Sequence, residues 1–194
     1  VKDLEWKQTF NQQDTNKILK ETGWKLEYGI WSKVIEGRTR TLNFILTVNQ
    51  NNEQRVKVAE EIKKQLETVG ILINIQKVTD SEYQKILNNH QYEILLTGVY
   101  NGYSPELNSF LGEGNLANYQ NQKLFSLLKE VDSMSSEDLK KEAYKKIVEI
   151  YQKQVPYLGL YRNQVTVAYG HSVRGEFTPN NYSVLYQFSQ WYRQ

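Results

Sequence analysis

The chain has 194 residues, 39% hydrophobic and 24% charged, with 24 basic against 22 acidic side chains and a formal net charge of +2. That length suits one domain or one large lobe of something bigger, and a globule this size buries roughly 70% of the surface its unfolded chain exposes, so no metal or disulfide staple is required. The near balance of charge gives no strong field for nucleic acid or an anionic membrane. The absence of cysteine excludes disulfide scaffolds, cysteine zinc sites, iron–sulfur clusters and thiol nucleophiles. No uninterrupted apolar stretch approaches the ~18 residues that span a bilayer. The opening VKDLEWKQTF lacks the apolar core of a signal peptide, so the chain reads as either mature or an excerpt.

In chain order, residues 14–23 predict a short helix with Asp14 as its cap and Gly23 in the left-handed conformation after its end. Residues 24–37 read as irregular, with Gly29 and Gly37 as turn points and Trp24, Tyr28 and Trp31 as packing anchors. Leu42, Phe44, Leu46 and Val48 alternate with Asn43, Ile45 and Thr47, which predicts a strand. A polar turn at 49–52, rich in helix caps, leads to Val56, Ala59, Ile62, Leu66 and Val69 at spacings of three and four, one apolar helix face stopped by Gly70. Ile71, Ile73 and Ile75 restore period two as a second strand to about Val78.

Thr79 and Glu82 fit a capping box for a helix through Leu87. Residues 92–98 predict a third strand, and the unbroken Ile94, Leu95 and Leu96 suggest burial on both faces, as at the centre of a parallel sheet. Strand, helix, strand, helix, strand at this spacing implies right-handed crossovers, hence an α/β fold: a mixed, largely parallel sheet flanked by helices. A long loop at 99–121 follows, with Gly112 and Gly114 as a plain turn. Leu124, Leu127, Leu128 and Val131 mark the next helix. Ser135 and Asp138 fit a capping box for a longer one that Pro156 ends. Residues 157–169 read as one or two strands, and the polar, aromatic tail from 170 holds a possible strand around 182–188.

Little in the sequence suggests catalysis. His90 and His171 sit in no ligand spacing and read as surface or loop residues; no Gly-rich phosphate loop and no GxSxG occurs. Glu60 with Glu61 and Glu137 with Asp138 fall on solvated helix faces or caps. No metal, cofactor or enzyme activity is expected. The 14 Tyr and 4 Trp, interleaved with Asn and Gln, suit binding through stacking and hydrogen bonds, or simply Tyr-rich strands with wet hydroxyls. The Lys residues are dispersed among Glu, so nucleic acid is not an expected partner. Open α/β sheets bind ligands beyond the carboxyl ends of their strands. Those ends are residues 49–51, 79–81 and 100–104, all polar, and they nominate Asn49, Asn51, Tyr100, Asn101 and Tyr103 as cleft residues. One alternative is a stand-alone interaction domain that uses its Tyr- and Asn-rich loop against another protein.

The succession ILKETGWK, TLNFILTVN, VKVAEEIKKQLETVGI, INIQKV, YEILLTGVYNGYSP, NLANYQNQKLFSLLKEV and YKKIVEIYQKQVPYLGLY resembles the solute-binding family 5 proteins, receptors of oligopeptide, dipeptide and nickel ABC importers. Gly23 with Trp24, the run from Ala59 to Ile71, and Pro156 followed by Tyr157 and Leu158 carry the likeness most sharply. The resemblance implies a periplasmic-binding-protein-like lobe of type II. The chain would be the carboxy-terminal ligand-binding lobe of a two-lobed receptor, with about 172–194 returning toward the missing amino-terminal lobe. It further implies extracytoplasmic placement, in the periplasm or lipid-anchored as a lipoprotein of the Gram-positive kind, with ABC permease subunits as partners and a peptide or other small solute as ligand. In oligopeptide receptors of this family the segment matching 96–103 carries an Arg, a Trp and an Asp before a Tyr, and the Asp pairs with the peptide's α-amino group. Here Leu96, Val99 and Gly102 stand at those three positions, and Tyr103 matches.

Overall fold

The computed structural model describes residues 11–99, 107–161, 167–178, 180 and 183–194. The chain divides into two units, Val1–Tyr100 with Glu106–Pro156, and Asn101–Pro105 with Tyr157–Gln194.

In the first unit, α1 (Gln12–Glu21) is capped by Asn11 rather than Asp14. The Asn11 side chain accepts from the amides of Gln13 at 2.9 Å and Asp14 at 3.4 Å. Asp14 instead lies in the first turn, where its charge faces the positive end of the helix dipole. Residues 24–41 are not irregular. They form an antiparallel sheet of β1 (Lys25–Glu27), β2 (Ile30–Ile35) and β3 (Arg38–Thr41), ordered β1-β2-β3. Both hairpins turn on two residues with positive φ, Tyr28 (52°) with Gly29 (81°) and Glu36 (51°) with Gly37 (73°), the mirror-image turn whose twist suits a hairpin. Tyr28, placed on a turn, is fully exposed and anchors nothing. Trp31 is fully buried and donates its indole N–H to the Val69 carbonyl at 2.8 Å.

The parallel sheet has the order β5-β4-β6. β4 (Asn43–Asn49) and β5 (Leu72–Val78) pair in register from Asn43 opposite Leu72 to Asn49 opposite Val78. Between them runs α2 (Glu53–Thr68), capped by Asn52, whose side chain accepts from the Arg55 amide at 2.9 Å. Leu46, Val48, Ala59, Ile73 and Leu96 make the core cluster, with Phe44, Val56, Ile62, Leu66, Ile71 and Ile75 packed against it. The apolar stripe of α2 and the alternating faces of two strands thus close on one another, as their periodicities require. Thr79 caps α3 (Asp80–Asn88) through the Glu82 amide at 3.3 Å. The buried hydroxyl of Tyr83 on α3 donates to the Leu96 carbonyl at 2.9 Å.

The third strand corrects the sequence reading. β6 comprises only Ile94–Leu95 and, among the described residues, lies beside β4 at the sheet edge, so β4 holds the centre. Its consecutive Leu46, Thr47 and Val48 are the residues buried on both faces. Thr47 satisfies its hydroxyl on Gln76 Oε1 at 3.2 Å, so a polar residue occupies a position that apolar counting passes over.

Part of the expected long loop is helical, as α4 (Leu107–Leu111). The following turn is clamped by buried Asn115, which donates to the carbonyls of Gly112 (2.8 Å) and Tyr119 (2.7 Å) and accepts from the Tyr119 amide (3.1 Å). α5 (Gln122–Ser133) buries Leu124, Phe125, Leu128 and Val131, and it packs on α6 (Glu137–Gln154), which buries Ala143 and Ile147. The α6 cap is Ser136, one residue beyond the expected Ser135. The helix stops at left-handed Val155 before Pro156.

In the second unit, the described residues of 157–169 contain no strand, and residues 183–187 are coil and turns rather than the expected strand. Among its described residues β7 (Val173–Arg174) and β8 (Tyr192–Arg193) pair antiparallel, with a 3-10 turn at Phe188–Gln190. Tyr169 stacks on Phe177 at a centroid distance of 3.9 Å, and Phe177 and Phe188 flank Trp191, whose indole donates to the Glu176 carbonyl at 3.0 Å.

Candidate functional site at the parallel strand ends

β4 and α2 are joined by a turn, and β5 and α3 by a single capping residue. The Gln50 amide donates to the Val78 carbonyl at 2.8 Å, which ties the carboxyl ends of β4 and β5 together. Because each helix starts where its strand stops, first-turn side chains of α2 and α3 share an edge with the strand ends. There Asp80 accepts from Asn49 Nδ2 at 3.1 Å and from Asn51 Nδ2 at 2.9 Å. Asn49 Oδ1 in turn accepts from Arg55 Nη1 at 3.2 Å. The end of the third strand joins through its backbone: a Cβ on Gly98 would stand 2.7 Å from Arg55 Nη2, so the guanidinium lies against the main chain there. Asn49 and Arg55 are half-buried, whereas Asn51 and Asp80 are exposed. The amide of Asn51, then that of Asn49, holds the Asp80 carboxyl below its ordinary pKa, with desolvation opposing them.

Of the residues nominated from the sequence, Asn49 and Asn51 are brought together, bridged by Asp80. Tyr100, Asn101 and Tyr103 lie outside the described residues. Sequence reasoning missed Arg55, which it did not single out. The available signal was its place three residues after the Asn52 cap, in the first turn of a helix that follows a parallel strand. Asp80 belonged to a strand end that was singled out, but it was not itself nominated. Leu96 is core, with its amide on the Thr47 carbonyl at 3.1 Å and its carbonyl on Tyr83, so that position turns inward, while Val99 is exposed. His90 points Nδ1 at the Leu116 carbonyl (3.0 Å), and His171 is exposed. Among the described residues there is no group of His, Cys, Asp or Glu that could hold a metal, and no helix long and apolar enough to cross a membrane.

Chemically, the network at the described strand ends offers two amides, one carboxylate and one guanidinium. Such a set can donate hydrogen bonds to a polar group and accept them from one.

The family described as bacterial extracellular solute-binding proteins, family 5 Middle, matches residues 2–120. The oligopeptide-binding protein AppA of Bacillus subtilis is 24% identical over 192 residues, covering 94% of this chain and 35% of that protein. The AppA structure, in complex with a nonapeptide, matches all of this chain and 40% of its own, with a TM-score of 0.73 at 22% identity. NikZ of Campylobacter jejuni, in complex with Ni(L-His), matches 95% of this chain and 39% of its own, with a TM-score of 0.68 at 16% identity. A periplasmic oligopeptide-binding protein of Thermotoga maritima with bound mannohexaose matches 76% and 30%, with a TM-score of 0.65 at 19% identity. The chain therefore spans well under half the length of these relatives, and the structural likenesses establish its α/β fold. With the family matched over more than half its residues, the chain belongs to the bacterial extracellular solute-binding proteins of family 5.

Proposed function

We propose that the chain is a ligand-gripping lobe of the substrate-binding component of an ABC importer. It would hold a solute between two lobes and deliver it to the membrane permease without catalysing a reaction. The observation that carries this reading is the network of exposed Asn51 and Asp80 with half-buried Asn49 and Arg55 at the carboxyl ends of the parallel strands, where an α/β sheet receives ligands. Oligopeptide is the solute class put forward, supported by the likeness to AppA. Tyr100, Asn101 and Tyr103 enter the proposal by sequence position alone. Residues 172–194 are proposed as the segment returning toward the other lobe, and the whole protein as extracytoplasmic, in the periplasm or anchored by lipid on the outer face of the membrane.

The test is to purify the complete natural protein without unfolding it, release its contents with acid and identify them by mass spectrometry. Peptides or another small solute recovered at about one equivalent support the receptor role. Empty protein whose melting is unmoved by peptide mixtures would contradict it.

A further inference from the structure

We propose that the outer edge of β3 is a docking site for another protein: an extended segment with acidic residues at alternate positions, added to the small antiparallel sheet as a fourth strand. β3 leads through Leu42 into the start of β4, so this edge lies at the opposite end of β4 from the strand-end site. The register shows which groups face outward. The two-residue turn at Glu36 and Gly37 closes with Ile35 opposite Arg38, and the Leu42 amide donates to the Trp31 carbonyl at 2.9 Å. The hydrogen-bonded pairs are therefore Ile35 with Arg38, Lys33 with Arg40 and Trp31 with Leu42. Thr39 and Thr41 fall between them, so their N–H and C=O groups point away from β2. Among the described residues no strand pairs with that side of β3, and all four of its residues are exposed. The edge thus offers two donors and two acceptors at the spacing of an antiparallel ladder.

The side chains define the strand that fits. Arg38 and Arg40 stand on one face, and none of the ion pairs among the described residues involves either. Lys33, directly opposite Arg40, turns its ammonium to the Thr22 carbonyl at 2.6 Å. Like charges facing across a ladder destabilise a sheet, so the two arginines add repulsion to the fold without an ion pair to offset it. A second copy of this chain at the edge would set Arg against Arg, which excludes self-pairing. A strand with Asp or Glu at positions i and i+2 instead sets both carboxylates on the Arg face, where planar guanidinium–carboxylate pairs form. An anionic lipid surface would match the charge but has no partner for the backbone groups, so the open ladder favours polypeptide.

The experiment uses the complete receptor and a probe segment, Thr-Glu-Thr-Glu-Thr, held in a surface loop of a folded carrier protein so that no free peptide is offered to the solute site. One control replaces both Glu by Gln. The other, Thr-Thr-Glu-Glu-Thr, keeps the charge but splits it between the two faces of the strand. Calorimetry should find the probe bound roughly three- to tenfold more tightly than either control, the range of two exposed ion pairs. Binding should also slow hydrogen exchange of the Thr39 and Thr41 amides. Arg38→Gln combined with Arg40→Gln should remove the preference. Thr39→Pro should abolish binding and leave solute binding intact, because the N–H it removes points away from β2. Wild type that binds no probe, or binds all three equally, overturns the proposal. Binding that survives Thr39→Pro overturns strand addition and reduces the edge to a charged surface of the kind an anionic lipid also meets. Thr39 and Thr41 amides already protected in the receptor alone would mean that its own chain covers the edge, which overturns the proposal as well.

Discussion

Glu93 completes the parallel sheet with its side chain: its carboxylate accepts the backbone N–H of Ile45 at 2.6 Å. β6 pairs with β4 only through Leu46 opposite Ile94 and Thr47 opposite Leu95, so one turn of the ladder earlier Ile45 has no main-chain partner on that side. A carboxylate takes the place that a strand carbonyl would fill. Replacing Glu93 by Ala should cost about 0.5–1.5 kcal/mol, since water can reach this exposed edge. It should also speed exchange of the Ile45 amide, whereas Glu93→Gln, which retains an acceptor, should slow that loss. An Ile45 amide equally protected in Glu93→Ala would show that the side chain does not finish the sheet.

Gly70 is where the small antiparallel sheet meets the α2–β5 turn. It has φ +84°, and a Cβ there would fall 2.9 Å from the Gly29 carbonyl oxygen and 2.9 Å from Leu26 Cδ1. Gly29 has a similar φ of +81° but open space around it. Ala at Gly29 should cost only the left-handed penalty, roughly 1–2 kcal/mol, and Ala at Gly70 clearly more, because backbone must shift as well. Urea unfolding of the two variants compares them directly. Equal losses would mean that the hairpin does not press on this turn.

Asn115 is almost fully buried, and its amide meets both donor and acceptor needs of the turn after α4. Asn115→Ala should destabilise by about 2–3 kcal/mol by orphaning buried carbonyls. Asn115→Asp should be at least as harmful at pH 7, because a carboxylate cannot donate to Gly112 or Tyr119, and should recover in acid as the carboxyl gains a proton. A pH-independent Asn115→Asp defect would contradict this role.

Asp80 provides a pH test of the strand-end network. Its folded pKa is depressed by the amides of Asn51 and Asn49, so the stabilisation is present above the unfolded value and is lost as pH falls through the folded one. The network should therefore persist to below about 3.9, the ordinary Asp value. Carbon-detected NMR titration of Asp80 should give a midpoint under that value, and Asn51→Ala should move it upward more than Asn49→Ala does. A midpoint at or above the ordinary value would mean that the amides do not hold the carboxylate in solution.

The sequence displayed the βαβαβ order because long periodic runs, such as Val56 to Val69 on α2, report burial directly. It hid the hairpins of 25–41, since their turns place Tyr28 and Glu36 at positive φ where Asn or Asp would be the usual signal. It also misplaced the sheet centre. The Ile94 to Leu96 run looks more buried than Leu46, Thr47 and Val48 only until Thr47 is seen to satisfy itself on Gln76. Caps slipped where two capable residues lie close together, as Ser135 and Ser136 do. At the site, Asn49 and Asn51 followed from topology. The roles of Asp80 and Arg55 depend on which atoms face each other, which one-dimensional spacing does not encode.

The most direct test is a structure of the complete protein bound to the solute that co-purifies with it. The account expects solute atoms within about 3.5 Å of Asn51 Nδ2 or the Arg55 guanidinium, at the carboxyl ends of β4 and β5. Solute held elsewhere, with Asn51 and Arg55 still facing water, would contradict it.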